Sequence, residues 1–232
     1  MSFPWRQFRF GAAVSCLAFG LEASAQSPRA TATVTPSPTI SASGTPRWTR
    51  RNEPMVEVNK YCRGIFVELR YATERNFMGR RIYPERARCY LRKSVADRLQ
   101  KAQDELRRQG LGLKVWDAYR PAWAHAHLWK SVPDPEYVAS PDAGGSWHTW
   151  GAAVDVTLVD LEGREQIMAS DFDDFTPSAK SEYTGGNLQI AANMKALRTA
   201  MLNAGFKGLR DEWWHFTARD AIQFSPVKMP LD

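Results

Sequence analysis

The chain has 232 residues and a formal net charge of +6. Residues 1–52 hold six arginines and one acid, Glu22, whereas the remainder carries 25 basic and 24 acidic side chains. A nearly neutral body of this length has room for one domain with a proper core, and it offers no nucleic-acid surface.

Arg6 and Arg9 precede an apolar run from Gly11 to Leu21 that ends in Ala23-Ser24-Ala25, the three-part pattern of a secretory signal peptide. A bilayer takes ~20 residues to cross, so the run is too short to span one. Residues 1–25 are therefore expected to be a leader cut after Ala25, with no transmembrane helix remaining. Ala13-Val14-Ser15-Cys16 loosely resembles a lipoprotein box, but the later small-x-small site is the stronger signal. Residues 26–48 are rich in Ser, Thr, Pro and Ala and have almost nothing able to pack, so a flexible tether is expected there. The folded domain is then 49–232, in an exported protein of the periplasm or cell envelope. In that setting Cys62 and Cys89 read as one disulfide, which would add about 3 kcal/mol for a loop of that length. Two buried free thiols are the alternative.

Within the domain, Ile65, Val67 and Leu69 alternate along Gly64 to Tyr71 as on a half-buried strand. Ser94 suits the N-cap of a helix whose Val95, Leu99, Ala102 and Leu106 form one stripe and whose end is marked by Gly110. Leu111 to Trp116 reads as a strand, and Pro121 opens a second helix to about Lys130. Ala152 to Val159 is a strand with Val154, Val156 and Leu158 on one face and Asp155 and Thr157 on the other. A last helix runs from Asn187 to Asn203, with Ile190, Met194, Leu197 and Met201 inward, and an aromatic strand lies near Trp213 to Thr217. Helices and strands without regular βαβ alternation predict an α+β fold, a small mainly antiparallel sheet with helices packed on it.

Three segments carry chemistry. In Ser146-Trp147-His148-Thr149-Trp150-Gly151-Ala152-Ala153-Val154-Asp155 the histidine precedes a strand and the aspartate lies inside it, opposite the valines. A carboxylate there is costly to bury without a charged partner, and a divalent cation is one such partner. A capping histidine with a salt-bridged Asp155 is the other reading. In Glu212-Trp213-Trp214-His215-Phe216, Glu212 and His215 stand three apart, as a base and a metal ligand do when the chain bends into the strand. A regular strand would put them on opposite sides, so an irregular entry is expected; a surface Glu212 with a core histidine is the alternative. Asp117-Ala118-Tyr119-Arg120-Pro121 places an arginine between strand and helix, where it can bind an oxyanion or a carboxylate.

Taken in order, these segments resemble the D-alanyl-D-alanine dipeptidases (the VanX type) among the zinc peptidases related to D-Ala-D-Ala carboxypeptidases. The resemblance runs from about Tyr61 to Thr217. It includes Arg70-Tyr71-Ala72-Thr73 with Asn76-Phe77 and Gly79, Met168-x-x-x-Phe172-Asp173, and Gly205-Phe206. It implies one zinc per chain held by His148, Asp155 and His215, with Glu212 as general base and then proton donor. It also implies that Arg120 steadies the oxyanion and that Asp173 holds the ammonium of a small dipeptide, with Ser146 and Tyr71 also at the substrate. Asp173 rests on the resemblance alone, and a solvated loop acid beside Asp171 and Asp174 competes with that role. His125 and His127 match no ligand of the family and read as helix-surface or packing residues. The implied activity is zinc-dependent hydrolysis of D-alanyl-D-alanine in cell-wall peptide turnover or recycling. An exported D,D-carboxypeptidase or L,D-endopeptidase on peptidoglycan stems is the alternative, and a wall-binding module would have no need of Glu212.

Overall fold

The computed structural model describes residues 51–135, 137–143 and 145–232. The expected leader and tether, with Cys16, lie outside the described residues. In chain order the elements are β1 (Met55–Glu57), α1 (Val58–Tyr61), β2 (Phe66–Val67), β3 (Tyr90–Arg92), α2 (Lys93–Arg107) and β4 (Leu111–Asp117). They continue with α3 (Ala122–Ser131), β5 (Ala153–Asp160), α4 (Leu188–Asn203), β6 (Phe206–Gly208) and β7 (His215–Ala218). Five strands form one sheet in the order β2-β4-β5-β7-β6, and β1 pairs with β3 in a separate antiparallel ribbon. Only β2–β4 is parallel, so the sheet is mainly antiparallel and the fold is α+β as expected.

Period-two alternation decides which face is the core. Leu113 and Val115 of β4, Val154, Val156 and Leu158 of β5, and Phe206 and Phe216 are buried in one cluster with Leu99 and Leu106 of α2 and Leu197 and Met201 of α4. Each such side chain contributes ~1.5–3 kcal/mol by leaving water. β5 is buried from Ala153 through Val159, on both faces. Its Asp155 and Thr157 therefore face more protein, and not open solvent.

Helix ends differ in how they are capped. Asn187 Oδ1 accepts the backbone N–H groups of Gln189 and Ile190 at 3.0 and 3.2 Å, a side-chain cap for α4. In α2, Ser94 is not the cap: the helix starts at Lys93, and the Ser94 N–H donates to Glu53 Oε2 at 3.1 Å. An acid from the segment before β1 supplies the anion at that helix start. The strand expected over Gly64 to Tyr71 is cut to Phe66–Val67, followed by a 3-10 turn at Arg70–Ala72. The turn buries Arg70 completely, its guanidinium 4.6 Å from the Trp116 ring and 3.1 Å from Glu165. No helix among the described residues is long and apolar enough to cross a membrane.

The expected disulfide is corrected: Cys62 and Cys89 are both free and buried. Cys62 Sγ donates to the Ala96 carbonyl of α2 at 3.6 Å, so its thiol already has a partner. Burial, with Asp97 and Asp104 adding, pushes the Cys62 thiol up to about 11, and burial raises Cys89 well above the usual thiol range. Only a thiolate attacks to form or exchange disulfides, so both groups are poorly reactive. Alkylation of the unfolded protein without reductant should modify both residues, and reduction should change neither mass nor melting temperature. A Cys62–Cys89 crosslinked peptide in a non-reducing digest would contradict this assignment.

Candidate active site

Local structure places each residue. Ser146 Oγ accepts the His148 N–H at 3.3 Å and caps a 3-10 turn, Trp147–Trp150. The turn ends at Gly151, which takes the left-handed conformation with φ 66°. A Cβ at that position would meet Met55 Cε at 2.6 Å, so Gly151 answers both a backbone and a packing demand. The chain then enters β5 and carries Asp155. On the neighbouring strand, the His215 N–H donates to the Glu212 carbonyl at 3.2 Å, closing a turn just before β7. That turn is the expected irregular entry. It brings Glu212 Oε2 to 3.8 Å from His215 Nδ1, on the same side.

Three donor atoms converge. His148 Nε2 and His215 Nδ1 are 3.2 Å apart, His148 Nε2 and Asp155 Oδ1 3.3 Å, and His215 Nδ1 and Asp155 Oδ1 2.9 Å. A tetrahedral site with bonds of ~2.0–2.1 Å has edges of ~3.3–3.4 Å. The triangle thus has nearly the dimensions of one face of such a site, and these three residues could hold a metal ion. The far nitrogens agree. His148 Nδ1–H donates to the Ala118 carbonyl at 2.7 Å, which selects the tautomer whose lone pair points into the cluster. His215 Nε2 lies 3.0 Å from Thr217 Oγ1, a hydroxyl that selects the same tautomer when it accepts. Without a cation the same atoms attract a proton. Burial alone would lower the His215 pKa, but the hydrogen bond and charge of Asp155, with Glu212, outweigh it and raise it. Burial would raise Asp155, and the two histidines more than reverse that.

Arg120 follows β4, and its guanidinium is held by a residue quoted in the motif but given no role from sequence. Arg120 Nε donates to Asp117 Oδ2 at 2.9 Å, with Nη2 2.7 Å from the same oxygen in an ion pair, and Tyr83 donates to Asp117 Oδ1 at 2.8 Å. The guanidinium lies 4.9 Å from the Tyr71 ring centroid, with Nη2 3.8 Å from Asp155 Oδ2. A bulge makes this possible. Val115 pairs with Val156 but Asp117 pairs with Asp155, so Trp116 is the extra residue. Without it Asp117 would face the core with the valines; with it Asp117 turns to the face of Asp155.

Asp173 has φ 56°, uncommon for a residue with a side chain. Tyr71 donates to its Oδ1 at 3.3 Å, while Oδ2 is shielded from solvent without a hydrogen-bond partner. Burial raises its pKa well above the carboxylate range; the Asp155 and Glu212 charges add to that against Arg120 and Tyr71. It is not the solvated acid that its neighbour Asp171 is. Burial likewise raises the pKa of Glu212.

His148, Asp155, His215, Glu212, Arg120, Asp173, Tyr71 and Ser146 therefore all border one cavity of about 360 Å³. His125, read from sequence as a helix-surface or packing residue, is buried against the same cavity. Its Nε2–H donates to the Ala139 carbonyl at 2.8 Å, and burial followed by the Arg120 charge pushes its pKa down to about 4. It is neutral, as a packing residue should be. Its only sequence signal was its place on a helix following the arginine motif. His127 is exposed and meets Arg80 Nη2 at 3.1 Å.

The family model described as D-ala-D-ala dipeptidase matches residues 51–229. The chain belongs to this family. It is 35% identical over 158 residues to the D-alanyl-D-alanine dipeptidase of Escherichia coli K12, covering 68% of this chain and 81% of that one. It is 31% identical over 182 residues to the D-alanyl-D-alanine dipeptidase of Enterococcus faecium and 30% identical over 186 residues to that of Streptomyces coelicolor. Each of those matches covers 70% of this chain and 90% of the relative. Family membership makes the chain a metallopeptidase of the dipeptidase type. It also corrects the expectation of an exported, periplasmic or cell-envelope protein, because the characterised dipeptidases it resembles are cytoplasmic.

If Thr217 fixes the His215 tautomer, Thr217→Val should weaken metal affinity about 10–100-fold. Competition with a chromogenic chelator measures this. Unchanged affinity would mean that His215 is oriented by its ring packing alone.

Proposed function

We propose that the protein hydrolyses D-alanyl-D-alanine to two D-alanines with one Zn²⁺ bound by His148, Asp155 and His215. The observation that carries this reading is the meeting, in one small cavity, of a three-atom ligand face, a nearby carboxylate and a second carboxylate with an unpaired oxygen. The names of the relatives supply the substrate.

Zinc at these ligands would polarise the scissile carbonyl and lower the pKa of the attacking water. The remaining work belongs to side chains. Glu212, 27% exposed and so open to the cavity, takes a proton from the water as its oxygen adds to the carbonyl carbon. It then delivers that proton to the amine nitrogen as the peptide C–N bond breaks. A raised pKa suits a group that must both accept and return a proton. Arg120 borders the cavity beside the ligand triangle and supplies the charge that steadies the developing oxyanion. Its hydrogen bond and ion pair with Asp117 hold the fork still while the negative charge grows. Asp173, with Tyr71, receives the substrate ammonium: a cation there makes ionisation of this buried acid favourable and satisfies Oδ2. Ser146 lines the same wall. The products suit cell-wall peptide turnover. A stem-cleaving carboxypeptidase has no free ammonium at this place and would leave Asp173 unpaired, which favours the dipeptide.

Glu212→Gln should retain stoichiometric zinc while kcat falls by a factor of roughly 100 or more. Metal analysis beside steady-state kinetics separates base from ligand, since joint loss of metal and activity would make Glu212 a ligand.

Substrate length tests the overall reading. N-acetyl-D-Ala-D-Ala lacks the ammonium and leaves Asp173 desolvated, a penalty of ~1–3 kcal/mol or more, so kcat/KM should fall at least tenfold relative to the free dipeptide. Equal or faster cleavage of the capped dipeptide, or of a stem pentapeptide, would replace the dipeptidase with the carboxypeptidase.

A further inference from the structure

Acids outnumber lysines and arginines on the cavity wall. Asp155, Asp173 and Glu212 border it, and the Arg120 guanidinium is held against Asp117. The other lysine or arginine on its wall is Lys207, which the motifs left without a role.

Lys207 stands in the middle of edge strand β6, directly opposite Thr217 of β7. Thr217 is opposite Ala153 of β5, and two residues before it His215 is opposite Asp155. Residues directly opposite in an antiparallel pair share a face, as do residues two apart along a strand. Lys207 therefore projects to the same side of the sheet as Thr217, His215 and Asp155, while Phe206 beside it enters the core. It is exposed, and among the described residues its side chain has no ion pair and no hydrogen bond.

Its position along the cavity is also informative. Asp173, Glu212 and Trp214 border a second cleft as well, together with Phe175 and Pro177; Lys207 does not line that cleft. Lys207 lines only the cavity that Ser146, Trp147 and Thr217 also border. A buried acid with an unpaired oxygen and a lysine without an ion pair among the described residues thus border the cavity that holds the ligand triangle, and only the acid also reaches the second cleft. A free dipeptide is a zwitterion of matching sense: an ammonium precedes its scissile bond and a carboxylate follows it.

We propose that Lys207 binds the C-terminal carboxylate of the substrate, a role that rests on the dipeptidase reading above. Asp173 and Lys207 then select together for a dipeptide with both ends free. The lysine's flexible stem and compact charge suit a carboxylate that must be released as free D-alanine after each turnover.

The test compares D-Ala-D-Ala with D-Ala-D-Ala amide, whose C-terminus is uncharged, using zinc-loaded wild-type, Lys207→Gln and Lys207→Arg proteins. Wild type should prefer the acid. Lys207→Gln should lower kcat/KM for the acid about tenfold, mainly through KM, as for loss of one charged hydrogen bond. The same variant should leave the amide within about twofold, as expected of an exposed substitution. Lys207→Arg should restore most of the preference. An acid-to-amide preference in Lys207→Gln equal to that of wild type would overturn the role of Lys207 and leave the dipeptidase reading standing. Wild-type protein that turns over neither substrate would overturn that reading and the role of Lys207 with it.

Discussion

A carboxylate buried in the middle strand of the sheet, Asp155, is the constraint that the surrounding structure satisfies. An unpaired charge in such a place costs several kcal/mol, and here a second buried acid, Asp117, stands directly across on β4. Two acids on neighbouring strands need two sources of positive charge. Asp117 is answered by Arg120, three residues on, with the Tyr83 hydroxyl on its other oxygen. Asp155 is answered by two imidazoles, whose geometry also fits a cation shared among all three. A metal ion and a proton would compete for this one set of atoms.

The segments that supply the site brace one another. His148 Nδ1–H is held by the Ala118 carbonyl, which lies between Asp117 and Arg120, while the Arg120 N–H donates to the His148 carbonyl at 3.2 Å. The turn carrying His148 and the turn carrying Arg120 are thus latched in both directions. Moving either would misplace both the imidazole and the guanidinium. Substitutions at 117–120 and 147–150 should therefore be non-additive, as expected for residues sharing one network. Behind them, Trp116, Phe172, Trp213 and Trp214 pack in edge-to-face and tilted pairs at centroid distances of 5.5–5.8 Å, which gives Asp173 and Glu212 a stiff backing.

Much of this was legible in the sequence because period and polarity agree there. The valines of β5 alternate cleanly, so Asp155 could be assigned to the opposite face before any coordinates, and the three-residue spacing of Glu212 and His215 demanded a bend that is present. What escaped notice depended on contacts between distant segments. The bulge at Trp116 is one example. Its trace was a polar Asp117 where regular alternation from Leu113 and Val115 placed a core side chain, and that irregularity passed as a strand end. Glu53 displacing Ser94 as the helix-start acceptor could not be read locally, since the two residues are far apart in the chain. The disulfide was inferred from a compartment and not from geometry, and it failed with that premise. Lys207 offered no pattern at all: a lysine on a short strand acquires meaning only once the register with Thr217 is known.

The metal triangle alone does not choose a substrate, because polarising a carbonyl and activating water serve any peptide bond. Discrimination has to come from groups that are costly to leave unmatched, and Asp173 is such a group. Its φ of 56° carries a backbone cost of roughly 1 kcal/mol or more, and its unpaired Oδ2 adds the cost of desolvation. No hydrogen bond among the described residues satisfies Oδ2, since Tyr71 reaches only Oδ1. A ligand that brings a positive charge to that oxygen relieves the desolvation term directly, and one that brings an amide or a methyl group does not. On the proposed reading, the strained and unsatisfied Asp173 is therefore what distinguishes one substrate end, while the well-satisfied histidines would carry the chemistry common to the larger class of zinc peptidases.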